Sequence, residues 1–158
     1  MFEGIFTALI TPFKDGKVDE SALWNLVEQQ IEAGIAGLVP CGSTGESATL
    51  SADEHNDVID IVISAAAGRV PVIAGTGSNN TREAISFTQY AKDAGATGAL
   101  LLSPYYNKPT QEGLIEHFVA IADATQIPLM LYNIPGRTAS NMLPETIARL
   151  AEHEFIVG

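Results

Sequence analysis

Three large functional classes depend on features that this sequence has in short supply. One cysteine, Cys41, allows no internal disulfide, which fits a reducing compartment. Basic residues are scarce: eight Lys and Arg stand against 19 Asp and Glu, a formal net charge of -11, and the eight are scattered. Binding to a phosphate backbone needs a basic patch, so nucleic acid is not an expected partner. No apolar run nears the ~20 residues of a membrane-spanning helix, and Met1-Phe2-Glu3-Gly4 lacks the basic start of a secretory leader. The expectation is a cytoplasmic protein with no membrane partner. His55, His117 and His153 show no metal-ligand spacing, so no metal or other cofactor is expected and surface or interface roles are the default for them.

What is present points to a packed α/β protein. At 158 residues, 46% hydrophobic and with a mean hydropathy of +0.16, the chain can bury a sizeable core as one domain or part of one. Apolar runs without polar alternation (Gly4 to Thr11, Ile35 to Pro40, Val70 to Gly75, Gly98 to Ser103, Ile127 to Tyr132) read as strands buried on both faces. Helical spacing follows each: Leu23, Leu26, Val27, Gln30 and Ile31 after an Asp19 cap; Val58, Ile59, Val62 and Ile63 after a Ser51/Glu54 capping box; Ile85, Thr88, Gln89 and Ala91 in a helix opened by Asn80 with Glu83; Leu114, Ile115, Phe118, Ile121 and Ala122 after Thr110. Pro144 suits a first helical position before Glu145 to Glu152, and Glu154 to Val157 resembles a sixth strand.

Strand openings recur about every 30 residues, the size of a βα unit, and Ala33-Gly34-Ile35-Ala36-Gly37 is echoed by Ala94-Gly95-Ala96-Thr97-Gly98. A doubly wound sheet of five units and a longer (β/α)8 barrel both fit this pattern. The apolar strand at the end has no helix after it to cover it, which favours residues 1–158 as the N-terminal part of a single (β/α)8 barrel domain: about five βα units and the sixth strand.

Parallel strands gather their carboxyl ends on one face, so polar residues at those ends are the candidates for a shared pocket. Pro40-Cys41-Gly42-Ser43-Thr44-Gly45-Glu46-Ser47 offers two glycines, two hydroxyls and several N–H donors, equipment for a small oxyanion. Tyr132 can pass protons if its hydroxyl meets those of Thr44 and Tyr106, although a lone tyrosine is more often a satisfied aromatic. Arg137 is the cation in the loops after the second, third and fifth strands and suits a substrate carboxylate, with a loop ion pair as the alternative. Gly75-Thr76-Gly77 lacks the third glycine of a dinucleotide fingerprint and reads as a tight turn. Cys41, with no histidine beside it in sequence, reads as a small buried residue.

Gly42-Ser43-Thr44-Gly45-Glu46-Ser47, the run Ser103 to Gly113 (SPYYNKPTQEG) and Tyr132-Asn133-Ile134-Pro135-Gly136-Arg137-Thr138 together resemble the dihydrodipicolinate synthase family. That family lies in the pyruvate-dependent class I aldolase superfamily, which also holds N-acetylneuraminate lyase. The resemblance implies a (β/α)8 barrel, usually a homotetramer built as a dimer of dimers, that condenses pyruvate with aspartate semialdehyde through a Schiff-base enamine in lysine (diaminopimelate) biosynthesis. It implies a proton relay of Thr44, Tyr106 and Tyr132, with Tyr106 supplied across a dimer interface. It places the pyruvate carboxylate at Ser43 and Thr44 and the aldehyde's carboxylate at Arg137. For members inhibited by L-lysine, Ser47, Ala48, His55, Asn79, Glu83 and Tyr105 match the positions lining the effector site, while Ala52 stands where some carry a histidine.

In one respect the sequence departs from the family. The family's Schiff-base lysine follows a glycine at the end of the sixth strand, and this sequence stops at that glycine, Gly158. Lys14, Lys17, Lys92 and Lys108 lie in loops or a helix, where an amine is not desolvated, so these residues alone are expected to form no enamine. The competing readings are an N-acetylneuraminate or 2-keto-3-deoxy-sugar-acid aldolase, a non-catalytic half barrel needing a partner chain, and a flavodoxin-like binding domain.

Overall fold

The computed structural model describes residues 2–158. They divide into two compact units, one running to Gly75 with Asp93–Thr97, the other Thr76–Lys92 with Gly98–Gly158.

In the first unit, β1 (Phe6–Ala8) is followed by a hairpin of β2 (Phe13–Lys14) and β3 (Lys17–Val18). Asp15 and Gly16 take φ +53° and +74° at its tip, as a two-residue turn requires. The Asp19 carboxylate accepts from the Ala22 N–H at 3.0 Å and opens α1 (Glu20–Glu32). β4 (Gly37–Val39) pairs parallel with β1, Thr7 opposite Leu38. Ser51 and Glu54 exchange both bonds of a capping box at the head of α2 (Ala52–Ala66). Leu38 bridges in parallel to Val72, just before β5 (Ile73–Gly75). Leu23 and Val27 of α1 are buried, as are Val58, Ile59 and Val62 of α2 and Leu38 of β4; each side chain of this size contributes about 1.5–3 kcal/mol by leaving water. Beyond the end of α2, Arg69 holds Glu28 with two hydrogen bonds and also donates to the Ala65 and Ala66 carbonyls, a cation on the helix's negative end.

The Gly4 to Thr11 run is not buried on both faces. Leu9 and Thr11 turn inward, but Ile5 and Ile10 are 76% and 54% exposed. An apolar run reads alike whether one face or two are covered, and the described residues cover one.

α3 (Thr81–Ala94) opens directly after Asn80, as expected, and most of it lies in the second unit. Asn80 Oδ1 accepts from the Arg82 N–H at 3.1 Å, but the Glu83 carboxylate takes the Ser78 hydroxyl, whose oxygen in turn accepts the Asn80 N–H. A nearer hydroxyl thus competes for Glu83. β6 (Gly98–Leu102) pairs parallel with β7 (Leu129–Tyr132), Leu102 opposite Tyr132. Between them α4 (Gln111–Thr125), capped by Thr110, buries Leu114, Phe118, Ile121 and Ala122. The segment after Tyr132, expected as loop, contains a one-turn helix, α5 (Pro135–Thr138), before α6 (Pro144–Leu150) with Pro144 at its first position. The expected sixth strand is present as a parallel bridge, Ile156 to Leu129, flanked by Leu129 N–H to Phe155 O (2.7 Å) and Leu131 N–H to Gly158 O (2.8 Å).

Two histidines contradict the surface default, because each ring finds a hydrogen bond inside its own unit. His55 is 5% exposed with Nε2 2.8 Å from the Gly75 carbonyl oxygen. His117 is 6% exposed with Nδ1 2.9 Å from Thr81 Oγ1, and its buried Nε2 has no partner among the described residues. Burial pushes the His117 pKa from 6.5 down to about 4. Between those values the unfolded chain takes up a proton that the folded chain refuses, so this group costs stability as pH falls from 6.5 toward 4. Urea midpoints measured across that window should decline less steeply in His117→Gln than in the parent; equal slopes would show that His117 does not titrate this way.

Candidate active site

The segment after β4 is built to turn tightly and leave donors free. Its first residue, Pro40, accepts the Gly75 N–H at 2.9 Å. Cys41 follows at φ +54°, 2% exposed, its thiol 3.5 Å from the His55 carbonyl oxygen. Burial pushes that thiol up to about 12, so it is no nucleophile at neutral pH, in line with a buried small residue. Gly42 O then accepts from Gly45 N–H (3.1 Å) and Ser43 O from Glu46 N–H (3.3 Å), while Thr11 Oγ1 donates to Gly45 O at 2.7 Å. A Cβ on Gly45 would stand 3.0 Å from Leu9 O and 3.2 Å from Cys41 N, which keeps that position small.

The bonds that turn the loop use carbonyls of Gly42 and Ser43. The N–H groups and hydroxyls of Ser43 and Thr44 have no hydrogen-bond partner among the described residues, and both side chains are exposed. Four donors on two adjacent residues suit a carboxylate.

The second unit places its candidates on loops leaving one end of a parallel pair. Tyr132 closes β7 opposite Leu102, so the segment after β6 and the segment after β7 start side by side. After β6, Asn79 Nδ2 donates to Tyr105 O (3.2 Å) and Asn107 Nδ2 to Asn79 O (3.0 Å), fixing a turn in which Tyr106 takes φ +71° with 89% of its surface exposed. A positive φ at a bulky residue is costly and is held here by these bonds. Tyr132 is half-buried, and its hydroxyl has no partner among the described residues. Arg137, in the last turn of α5, is exposed and makes no ion pair among them.

The residues matched to an effector site are distributed differently. Ser47 and Ala48 lie on a 3-10 turn (Ser47–Thr49) in the first unit, where His55 is buried. Asn79 meets Tyr105 through its amide in the second unit, where Glu83 is held by Ser78.

Gly75-Thr76-Gly77 is not a tight turn. Neither glycine has a positive φ, and Thr76 is buried with its hydroxyl 2.7 Å from that of Thr88. A Cβ on Gly75 would lie 2.2 Å from Cys41 O, and one on Gly77 would lie 2.6 Å from Leu102 N; the glycines are there for backbone contact. Sequence reasoning also missed Asn133 and Gln111, whose amides tie down the α5 segment; the one hint was an Asn directly after a strand end.

Among the described residues no group of three His, Cys, Asp or Glu could hold a metal ion, and no helix is long and apolar enough to cross a membrane. An open groove of about 460 Å³ in the first unit is lined by Glu20, Glu54, Asp57 and Asp60 with Lys17, an acidic wall that does not suit an anionic substrate.

Parallel strands joined by helices, with hydroxyl, amide and guanidinium groups at their carboxyl ends, are the parts of a (β/α)8 barrel. The chain belongs to the dihydrodipicolinate synthetase family, whose family model matches residues 1–158. A curated relative from Pelobacter propionicus, 4-hydroxy-tetrahydrodipicolinate synthase, is 63% identical over 158 residues, 100% of this chain and 54% of the relative. Among solved structures, the chloride-inhibited dihydrodipicolinate synthase of Acinetobacter baumannii complexed with pyruvate is similar at 53% identity and TM-score 0.98, over 100% of this chain and 55% of that one. The Cyanidioschyzon merolae enzyme with lysine bound is similar at 46% identity and TM-score 0.96, over 99% of this chain and 54% of that one. The chain thus spans about half the length of the curated relatives it matches, and its fold is part of a (β/α)8 barrel.

Proposed function

We propose that the chain supplies the amino-terminal part of a cytoplasmic 4-hydroxy-tetrahydrodipicolinate synthase, which condenses pyruvate with aspartate semialdehyde toward lysine. The pyruvate carboxylate sits on the Ser43 and Thr44 N–H groups and hydroxyls, whose freedom supports this role. An amine attacks the keto carbon and water leaves; the methyl group then loses a proton, and the resulting enamine attacks the aldehyde carbon. The chain's own lysines do not suit that amine. Lys14 and Lys108 are exposed, Lys17 lies in the hairpin, and Lys92 Nζ donates to Thr125 O at 2.6 Å. The Schiff-base lysine is therefore assigned outside these residues.

Thr44, Tyr106 and Tyr132 relay the protons of imine formation and collapse. The 89% exposure of Tyr106 at a strained φ supports its reaching a neighbouring protomer's site in a homo-oligomer, a dimer of dimers. L-lysine is the proposed effector at a site including Ser47, Ala48, His55, Asn79, Glu83 and Tyr105; the amide contact of Asn79 with Tyr105 supports part of it.

The observation that carries the reading is Arg137: an exposed guanidinium without an ion pair among the described residues, on the segment that leaves Tyr132. It is free to bind the carboxylate of the aldehyde substrate. In the full-length polypeptide carrying these residues, Arg137→Ala should lower kcat/KM for aspartate semialdehyde by about 10²-fold or more, since a charged hydrogen bond contributes about 1.5–3 kcal/mol and orientation adds to it. An unchanged kcat/KM, with turnover of a sugar-acid substrate instead, would overturn the synthase reading.

A further inference from the structure

The segment that carries Arg137 is closed into a ring by one side chain. Asn133 uses both ends of its amide: Nδ2 donates to Asn141 Oδ1 at 2.9 Å, and Oδ1 accepts from the Met142 N–H at 3.1 Å. Residues 134–140 lie between those bonds. Inside the ring Thr138 is fully buried, its hydroxyl 3.1 Å from Ile134 O and 2.9 Å from Ser140 O. Met142, 3% exposed, anchors the exit. From α4, Gln111 adds a second latch: Nε2 donates to Asn141 O at 2.9 Å, and Oε1 accepts from Leu143 N–H at 3.1 Å and Thr146 Oγ1 at 2.5 Å.

Arg137 itself has no ion pair among the described residues to aim it, and α5 is a four-residue helix without a side-chain cap, too short to hold its own geometry. The orientation of the guanidinium is therefore inherited from the ring. The geometry points to Asn133 as a positioning residue: its amide fixes where Arg137 stands relative to Tyr132, and so sets affinity for the carboxylate-bearing aldehyde without touching it. This rests on the reading of Arg137 as that carboxylate's partner.

The test varies the two substrates separately in the full-length polypeptide. Asn133→Ala should raise KM for aspartate semialdehyde about tenfold, the equivalent of one lost hydrogen-bonded restraint, while KM for pyruvate and borohydride trapping of its imine stay as in the parent. Asn133→Asp keeps the acceptor for Met142 N–H and lets the Asn141 amide turn to donate, so it should restore most of the aldehyde affinity. If Asn133→Ala leaves the aldehyde KM unchanged, or if both substrates and imine trapping fail together, the inference is overturned. Arg137→Ala run alongside separates the two levels. A defect there with a normal Asn133→Ala removes only the positioning role, whereas a normal Arg137→Ala removes the synthase reading and this inference with it.

Discussion

Replacing Tyr132 with phenylalanine in the full-length polypeptide should lower kcat by about 10²–10⁴-fold, the range of a positioned acid–base group, while the protein folds as before. The two halves of that expectation have separate physical grounds. Tyr132 closes β7, where its ring is half-buried, and its hydroxyl bonds to none of the described residues. Removing that oxygen leaves no buried donor or acceptor stranded, so the stability change should stay within about 0.5 kcal/mol. A structural tyrosine would behave the other way, with its hydroxyl tied to a backbone carbonyl and its loss felt on unfolding. The chemical half follows from the proposed reaction: imine formation, enamine formation and product release each move a proton at a carbon or a nitrogen. A hydroxyl chain can take a proton at one end and release it at the other. Under the proposed relay, Thr44→Val should impair the same steps, and the double variant should be little worse than the poorer single one, because groups acting as a unit are not additive. Steady-state kcat with borohydride trapping of the pyruvate imine checks this. Parental kcat in the Tyr132→Phe protein would take Tyr132 out of the proton path.

What the sequence makes legible divides along the range of the interactions. Asp19, the Ser51/Glu54 pair, Thr110 and Pro144 are readable because a cap is settled among residues within four positions of each other. Asn80 with Glu83 has the same spacing and marks the start of α3, although there Ser78, two residues before Asn80, takes the carboxylate. The strands are placed to within a few residues, and Tyr132 at the end of β7 and Ser43 and Thr44 a few residues past β4 stand out as hydroxyl groups following apolar runs. The burial of His55 and His117 is not legible. Each ring bonds a group 20 or 36 residues away, and no local spacing announces such a partner. The clasp of Asn133 over Asn141 and Met142 escapes for a related reason: an Asn after a strand reads as loop chemistry, whatever it ties together.

Gly75→Ala should be the most destabilising single-methyl change in the first unit, on the order of 3 kcal/mol or more. The position is not a turn, so the penalty is not conformational; it is a collision with backbone. The added Cβ would sit 2.2 Å from Cys41 O, 2.6 Å from Cys41 C and 2.9 Å from Gly42 N. A flexible side chain could swing aside, but a peptide group cannot do so without moving its neighbours. The movement would pull Gly75 N–H from Pro40 O and the Gly75 carbonyl from His55 Nε2, bonds of 2.9 and 2.8 Å whose loss leaves buried polar groups unpaired. Cys41, already at φ +54°, has little room to absorb the shift. The displaced peptide leads directly into Ser43 and Thr44, so pyruvate affinity should fall along with stability. Gly136→Ala is the matched control: a Cβ there meets nothing within 4 Å, and the site lies inside α5, where alanine gains about 0.5–1 kcal/mol of backbone entropy over glycine. Urea unfolding of the full-length polypeptide should therefore move the two midpoints in opposite directions or leave only the control in place. If Gly75→Ala unfolds at the parental midpoint, β5 and the Cys41 peptide do not lie as close as described, and the free donors of the Ser43–Thr44 loop lose the wall that shapes them.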